Sequence, residues 1–169
     1  MDWNWEQIRD RFGPLVWAVA MRILNHQADA FDCYQDVFLE VFQKSDRTET
    51  RDPGAYLRWL TTRRALDVLR KRQLRNSRTE SNNPDAKMVP SAPGEKAEFD
   101  ELLVIVRDEL ASLPSPQAQA FWLVSVEQRS YEEVAAQMEI ERNHVGVLVH
   151  RARKHLQQRL TRLAPNHQH

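Results

Sequence analysis

Apolar residues recur three and four positions apart through most of the chain, which is the spacing of one face of an α-helix. The clearest example is the segment 29–43. One face of this segment is apolar and carries Ala30, Tyr34, Val37, Phe38 and Val41. Another face is acidic and carries Asp29, Asp32, Asp36 and Glu40. The chain has only four glycines, so little interrupts the periodicity, and the pattern predicts an all-α protein.

Two further helices are predicted before residue 76. Pro14 can open a helix that runs to Ile23, and Asn25 is expected to end it. A long helix follows the polar loop 45–53 and runs to about Arg75. Its apolar side is formed by Tyr56, Leu60, Ala65, Val68 and Leu69. Its basic side is formed by Arg63, Arg64, Arg70, Lys71, Arg72 and Arg75.

A polar stretch separates this part of the chain from the rest. It is rich in serine, asparagine and proline and has almost no bulky apolar residue, so we expect a flexible linker. The expected organisation is therefore a domain at 1–76, a linker at 77–97 and a second small helical domain at 98–169.

The second domain begins with a predicted helix at 98–112, which Pro114 stops. Ser115 followed by proline predicts a new helix with the serine at its cap. Further on, Ser130 and Glu133 have the spacing of a capping box. A final helix is expected from about residue 141 to residue 163.

The capped segment has the layout of a helix-turn-helix. A short helix at 130–138, a turn near Glu139 and Ile140, and a longer helix follow one another, and Ala135 is small enough for a close helix crossing. The expected core residues are Val134, Ile140, Val145 and Val149. Any helical hairpin in a bundle would give a similar pattern. The basic residues after the apolar part favour DNA binding, and they are His150, Arg151, Arg153 and Lys154.

The charges are strongly sorted along a chain whose formal net charge is +0. Residues 1–50 carry five basic and nine acidic side chains, whereas residues 51–78 carry nine basic and two acidic ones. Residues 79–127 are again acidic and residues 128–169 basic. This alternation argues against a protein that coats nucleic acid along its whole surface. A solvated cationic face is the alternative for 51–78, but an anionic partner is favoured there.

Several classes of protein are disfavoured by what the sequence lacks. The lone Cys33 cannot form an internal disulfide and fits a reducing cytosol. No signal peptide and no membrane-spanning run of about 18 apolar residues is recognisable. The sequence has no Gly-rich phosphate loop and no nucleophile motif, and His144, His150 and His155 lack metal-ligand spacing. We therefore expect a non-enzymatic protein without cofactor or metal.

Three segments resemble the extracytoplasmic-function sigma factors of the sigma-70 superfamily. Residues 130–160 resemble their promoter-binding C-terminal domain, with the strings SYEEVA and HRARKHL at 130–135 and 150–156. Residues 29–42, DAFDCYQDVFLEVF, are similar to their acidic polymerase-docking helix. Residues 56–72, YLRWLTTRRALDVLRKR, resemble the helix that handles the minus-ten element. The matches stand in the family's order and cover nearly the whole chain.

The resemblance implies a cytoplasmic sigma factor that binds core RNA polymerase and promoter DNA and is controlled by an anti-sigma factor. It implies a polymerase-binding set of Asp29, Asp32, Gln35, Asp36 and Glu40. It implies a minus-ten set of Arg63, Arg64, Arg70, Lys71 and Arg75. It implies a minus-thirty-five set of Arg142, Asn143, His144, His150, Arg151, Arg153 and Lys154. Tyr56 and Trp59 are expected in the core rather than as stacking platforms for bases.

The sequence departs from the family in its recognition helix. The usual T-V-K-S-R-L is replaced by HVGVLV at 144–149, so base contacts would come mainly from Arg142, Asn143 and His144. Glu139 replaces the usual turn glycine, Phe31 an acid, and Arg63 an asparagine. These changes leave open a sigma-like interaction protein that binds polymerase or a regulator without contacting promoters. A one-component DNA-binding regulator is a third hypothesis, but the sequence offers no dimerisation or ligand domain for it.

Overall fold

The computed structural model describes residues 4–44, 50–78 and 95–163, and every regular element within them is a helix. The elements are α1 Trp5–Leu24, α2 Gln27–Lys44, α3 Pro53–Arg78, α4 Glu95–Ser112, α5 Ser115–Phe121, a π-helix Trp122–Val126, α6 Tyr131–Met138 and α7 Arg142–Leu163. The predicted all-α fold is confirmed. Most of the predicted loop 45–53 and linker 77–97 lies outside the described residues.

Helix α1 begins nine residues before the predicted start, so the prediction that Pro14 opens the helix was wrong. The Asn4 side chain caps the helix by accepting a hydrogen bond from the Glu6 N–H at 3.2 Å. Pro14 lies inside, where a missing N–H costs about 3 kcal/mol. Buried Ile8 and Val16, on either side of Pro14, offset that cost. The predicted end is confirmed, because Asn25 is left-handed (φ 46°) and its N–H donates to the Met21 carbonyl at 2.8 Å.

Helices α1, α2 and α3 pack around one apolar core. The predicted buried face of α2 is confirmed, since Ala30, Val37 and Phe38 are buried and Tyr34 and Val41 pack at the core edge. The apolar side of α3 is also confirmed, with Leu60, Ala65 and Leu69 buried and Tyr56 and Val68 packed against them.

Cys33 belongs to the same buried face of α2, which the sequence pattern did not predict. Burial, aided by the charge of Asp36, raises the pKa of the Cys33 thiol to about 12, although Arg64 acts in the opposite direction. The thiol is therefore protonated near neutral pH, which disfavours reaction through a thiolate.

The predicted helix-turn-helix layout is confirmed in α6 and α7. Ser130 Oγ accepts a hydrogen bond from the Glu133 N–H at 3.1 Å, and the Glu133 carboxylate accepts one from the Ser130 N–H at 2.9 Å. Glu139 ends α6 in the left-handed conformation (φ 55°). The core between the helices contains the predicted Val134, Ala135, Val145 and Val149, with Ile140 packed against them.

The start of α5 differs from its prediction. Pro114, not Ser115, precedes the first helical residue, and no side chain caps this end. Because Ser115 already belongs to the helix, its hydroxyl serves an internal contact and accepts a hydrogen bond from Gln119 Nε2 at 2.8 Å.

Helix α3 is the central element, because α1 and α2 pack on it together with α4, α5 and α6. Every residue from 53 to 70 is buried or half-buried as a result. The buried Glu127 carboxylate accepts a hydrogen bond from Arg22 at 2.8 Å, lies 3.7 Å from Arg58 and accepts one from Trp122 Nε1 at 3.3 Å. This acid thus joins α1 and α3 to the segment after the π-helix.

Two arginines add side chain to backbone contacts across the same junction. Arg70 of α3 donates to the Leu113 carbonyl at 2.7 Å, and Arg107 of α4 donates to the Arg22 carbonyl at 2.7 Å. Within the described ranges, none of the helices is both long and apolar enough to cross a membrane.

Candidate protein and nucleic-acid interfaces

Helix α2 exposes an apolar stripe on the side away from the core. Phe31, Leu39 and Phe42 are 51%, 54% and 56% exposed. They stand eight and three positions apart, which places them along one side of the helix. Trp5 of α1 packs edge-on against Phe42, with ring centroids 5.5 Å apart. The sequence reasoning missed this stripe because it considered only the charges on that side, although the spacing was visible.

Acidic and amide groups border this stripe. Asp32, Gln35 and Asp36 are all exposed on α2 beside Phe31 and Leu39. Three of the five predicted polymerase-binding residues therefore come together on one accessible face, where charge and apolar surface are combined. Such contiguous exposed apolar surface is typical of a site that binds another protein.

The other two residues of that predicted set are engaged inside the molecule. Asp29 is half-buried and pairs with Arg72 of α3. Glu40 is only 7% exposed, and it accepts hydrogen bonds from Lys44 at 2.5 Å and from Arg64. The expectation that Glu40 shares the exposed acidic face was wrong. It follows Cys33 and Val37 by seven and three positions, so it lies on the side that faces α3.

The pKa of Glu40 reflects two opposed effects. Burial favours the neutral acid, but the hydrogen bonds and charges of Lys44 and Arg64 outweigh it and lower the pKa below the ordinary glutamate value. The carboxylate is therefore ionised at neutral pH and holds α2 against α3.

The predicted minus-ten residues divide into two groups on α3. Arg64 pairs with Glu40, and Arg63 lies 3.5 Å from the same carboxylate and 4.9 Å from the Trp59 ring centroid. Arg70 donates to the Leu113 carbonyl. Lys71 and Arg75 are exposed towards the end of the helix. In this conformation α3 presents its cations to solvent mainly beyond residue 70.

Tyr56 and Trp59 pack in the core, as expected. Their ring centroids lie 5.9 Å apart. Trp59 packs against both apolar clusters of the protein, the one that α1, α2 and α3 share with the second half and the one around α6 and α7, so it serves the junction between them. The loop between α2 and α3 contains no aromatic residue in its sequence, and it lies largely outside the described residues.

All seven residues of the predicted minus-thirty-five set are exposed on α7. Asn143, His150 and Lys154 share one face, because they are spaced seven and four positions apart. His144 and Arg151 flank this face on one side, and Arg142 and Arg153 flank it on the other. The structure thus brings the predicted residues together in one cationic surface.

The two arginines on the second flank already have partners. Arg142 donates to the Glu132 carboxylate at 2.5 Å, and its guanidinium lies 5.5 Å from the Tyr131 ring centroid. Arg153 donates to Ser125 Oγ at 3.3 Å. The pKa of Glu132 is lowered by its own backbone N–H and by Arg142, so this acid stays ionised beside the cationic surface.

A shallow cavity of about 430 Å³ opens on the same surface of α7. Gly146 contributes no side chain to it, and the nearest atom to a Cβ added there would be a carbon of the Tyr131 ring at 3.5 Å. The cavity is lined by Tyr131, Arg142, Asn143, Gly146, Val147, His150 and Arg151. It combines hydrogen-bond donors with an apolar ring and a valine.

The third histidine of α7 is used in a structural contact. His155 Nε2 lies 3.1 Å from one oxygen of Glu109, and Arg159 donates to the other at 2.9 Å. Across the part of the chain that the structure describes, no three His, Cys, Asp or Glu side chains come together as a metal site would require.

Family comparisons match both halves of the chain. Residues 8–75 match the family model of Sigma-70 region 2, and residues 103–156 match that of Sigma-70 region 4. A relative described as ECF RNA polymerase sigma factor SigE, from Mycolicibacterium smegmatis (strain ATCC 700084 / mc(2)155), is 28% identical over 165 residues. The alignment covers 94% of this chain and 62% of that relative, so the chain spans less than two thirds of its length.

A solved structure has a similar fold. It is the sigma factor RpoE in complex with the anti-sigma factor NepR from Bartonella quintana, and the TM-score is 0.57 at 24% sequence identity. The similarity covers 92% of this chain and 96% of the solved chain.

Proposed function

Because the chain belongs to the sigma-70 family of RNA polymerase sigma factors, and to their extracytoplasmic-function type, we propose that it binds core RNA polymerase and directs it to specific promoters. The observation that carries this proposal is the pairing of an exposed apolar and acidic face on α2 with a cationic helix-turn-helix surface on α7. The catalytic step belongs to the polymerase, and the protein acts in the cytoplasm. Residues 1–76 are assigned to the region 2 domain, 77–97 to the linker and 98–169 to the region 4 domain. Both ends of this assigned linker are helical, because α3 runs to Arg78 and α4 begins at Glu95.

The polymerase contact is assigned to the exposed face of α2. Asp32, Gln35 and Asp36 supply charge and hydrogen-bond acceptors for a basic partner, which gives rate and orientation more than affinity. Phe31, Leu39 and Phe42 supply the apolar area, because the free energy gained on burial is roughly proportional to the apolar surface removed from water. Asp29 and Glu40 support this face indirectly, since their carboxylates hold α3 in place behind it.

The minus-ten contact is assigned to the basic side of α3. Lys71 and Arg75 are exposed towards the end of the helix, and Arg63, Arg64 and Arg70 would exchange their contacts with Glu40 and Leu113 for phosphates. Each ionic contact with phosphate should steepen the salt dependence of binding by about 0.9 in log–log slope on duplex DNA and by about 0.7 on single strands.

The minus-thirty-five contact is assigned to α7. Asn143 and Arg142 stand at the helix start, where an amide can pair with adenine and a guanidinium with guanine in the major groove. His144, His150, Arg151, Arg153 and Lys154 are placed to contact the backbone on either side. An anti-sigma factor that covers one or both DNA-binding surfaces is the expected regulator, as the family resemblance implies.

Transcription in vitro tests this proposal directly. Core polymerase, the purified chain and DNA from the source organism should give promoter-dependent starts, and starts no more frequent than with core alone would overturn the proposal. The variant Asp36→Arg should weaken core binding in a pull-down or titration, because it places a cation on the proposed docking face. The matched charge reversal Asp10→Arg, at an exposed position of α1, should leave core binding unchanged.

The second candidate function is a sigma-like protein that binds polymerase or a regulator without contacting promoters. It is favoured by the segment 144–149, which lacks the lysine, serine and arginine usual in the family's recognition helix, and by the pairing of Arg142 with Glu132. Footprinting of the holoenzyme separates the two functions. Protection over the minus-thirty-five element that is lost in Arg142→Ala and Asn143→Ala supports direct contact by these residues. Protection that survives both changes argues against their role, and no protection at all favours the second candidate.

A further inference from the structure

One apolar side chain stands in the middle of the cationic face of α7. Val147 is 44% exposed, and it is the exposed large hydrophobic residue of this helix among the side chains described for 142–162. It lies four positions after Asn143 and three before His150, so it points to the same side as both. The core does not account for it, because Val145, Leu148 and Val149 already fill the buried side.

Gly146 makes room next to this valine. A glycine inside a helix costs about 1 kcal/mol relative to alanine, yet a Cβ here would meet Tyr131 only at 3.5 Å, an ordinary contact distance. Internal packing therefore does not demand the glycine. Its effect is on the outer surface, where it forms part of the cavity between Tyr131 and Val147.

The rim of this cavity indicates what it binds. Arg142, Asn143, His150 and Arg151 surround an apolar patch with hydrogen-bond donors. The DNA major groove presents the complementary surface, because phosphates flank it and the thymine 5-methyl is the apolar group on its floor. A protein with an acidic rim around an apolar group is the alternative occupant, and its binding would not respond to the loss of a methyl group from DNA.

We propose that Val147 contacts the 5-methyl group of a thymine in the minus-thirty-five element and that Gly146 leaves the space into which this base edge fits. This assignment rests on the proposed promoter function and names the base that the atypical segment selects. It makes Val147 a specificity-determining residue beside Arg142 and Asn143, while His150 and Arg151 on the rim position the helix on the backbone.

Uracil differs from thymine only by the absence of the 5-methyl group, so replacing thymine by uracil removes the proposed contact and nothing else. Holoenzyme would first be used to select its preferred minus-thirty-five sequence from a randomised library. Each thymine of that sequence would then be replaced singly by deoxyuridine and the affinity measured. At one position we expect about fourfold weaker binding, the value of one buried methyl group. In Val147→Ala the same replacement should change binding by less than about twofold, since the partner of the methyl group is gone.

Two further variants separate this contact from general damage. Gln158→Ala removes an exposed side chain about 16 Å further along α7 and should keep the full uracil effect. Gly146→Ala should raise the melting temperature yet weaken promoter binding, because the added methyl group occupies the cavity. A higher melting temperature combined with weaker DNA binding is not expected if Gly146 has only a structural role.

The outcomes are distinct. Promoter-dependent starts without any uracil-sensitive thymine, or with a sensitivity that Val147→Ala leaves intact, overturn this inference and leave the proposed function standing. Loss of transcription in Val147→Ala without a uracil effect assigns the cavity to a protein partner and also overturns it. Absence of promoter-dependent starts in the wild-type holoenzyme overturns both proposals.

Discussion

Glu40 shows how one side chain can belong to a docking motif in the sequence and to a helix junction in the structure. Its place in an acidic run suggested exposure, but its position relative to Cys33 and Val37 turns it towards α3. There Arg64 and Lys44 compensate the desolvated carboxylate. The number of positions between Glu40 and the buried residues of α2 can be read from the sequence. This spacing predicts which face of the helix carries Glu40 better than its charge does.

We expect Glu40→Gln to lower the free energy of unfolding by about 1 to 2 kcal/mol at neutral pH. A fully buried ion pair would lose about 3 to 5 kcal/mol, but Arg64 is partly solvated. The folded-state pKa of Glu40 is lowered, so its contribution is present above the ordinary glutamate pKa and is lost as pH falls through the lowered value. Denaturation curves of both proteins should therefore converge in acid, and a constant gap would contradict this account.

Glu132 is a second carboxylate whose effect is local. It holds Arg142 and places a negative charge on the surface assigned to DNA. In Glu132→Gln we expect promoter affinity to rise several-fold and the salt dependence to steepen by up to about 0.9, because the surface that faces the phosphates loses a negative charge and Arg142 is released. Affinity measured across a salt series checks the affinity and its salt dependence together. Glu101→Gln, at an exposed position of α4, is the control. Unchanged affinity and unchanged salt dependence would show that Glu132 does not oppose DNA on this surface.

At the scale of elements, the patterns that depend on neighbouring residues were predictable and those that depend on distant packing were not. The capping box of α6 and the buried face of α2 follow from spacings within a few residues, and both predictions are confirmed. The continuation of α1 through Pro14 requires buried contacts on both sides of the proline, and the π-helix Trp122–Val126 has no local signature. Tertiary packing decided these two cases.

The end of α6 carries a backbone cost that a substitution can remove. Glu139 adopts φ 55°, which costs a residue with a side chain about 1 to 2 kcal/mol. Glu139→Gly should raise the free energy of unfolding by about 0.5 to 1 kcal/mol, after the greater entropy of glycine in the unfolded chain is subtracted. Urea denaturation measures the change. The matched variant Ala136→Gly, at an exposed interior position of α6, should lower stability by about 1 kcal/mol, and a loss in both would contradict the argument.

At the scale of the whole molecule, the two halves share α3. The ion pair between Arg22 and Glu127 joins positions 105 residues apart, and no periodicity in the sequence relates them. The polar stretch predicted a division of the chain into two parts, and the helical fold predicted for the part before it and the part after it is confirmed. It could not predict that α4, α5 and α6 would cover the same helix as α1 and α2, because that arrangement depends on surface complementarity between distant segments.

Glu127→Gln tests this junction. The amide can still accept a hydrogen bond from Trp122, but the charge that compensates Arg22 and Arg58 is lost. We expect a loss of about 1 to 3 kcal/mol in the free energy of unfolding, since the group is buried. Amide hydrogen exchange in 53–70 should accelerate relative to the wild type, and the exposed acid Glu101 offers the control variant Glu101→Gln. Unaltered exchange in 53–70 would argue against a junction held by Glu127.

The covering of α3 also has a quantitative consequence for recognition. Promoter DNA can pair with Arg70 only in an open form of the chain, in which this side chain has left the Leu113 carbonyl. The apparent affinity of the free chain for such DNA equals the intrinsic affinity multiplied by the population of that open form. An open population of about one in a hundred would weaken binding about a hundredfold, and any partner that binds the open form first would restore it.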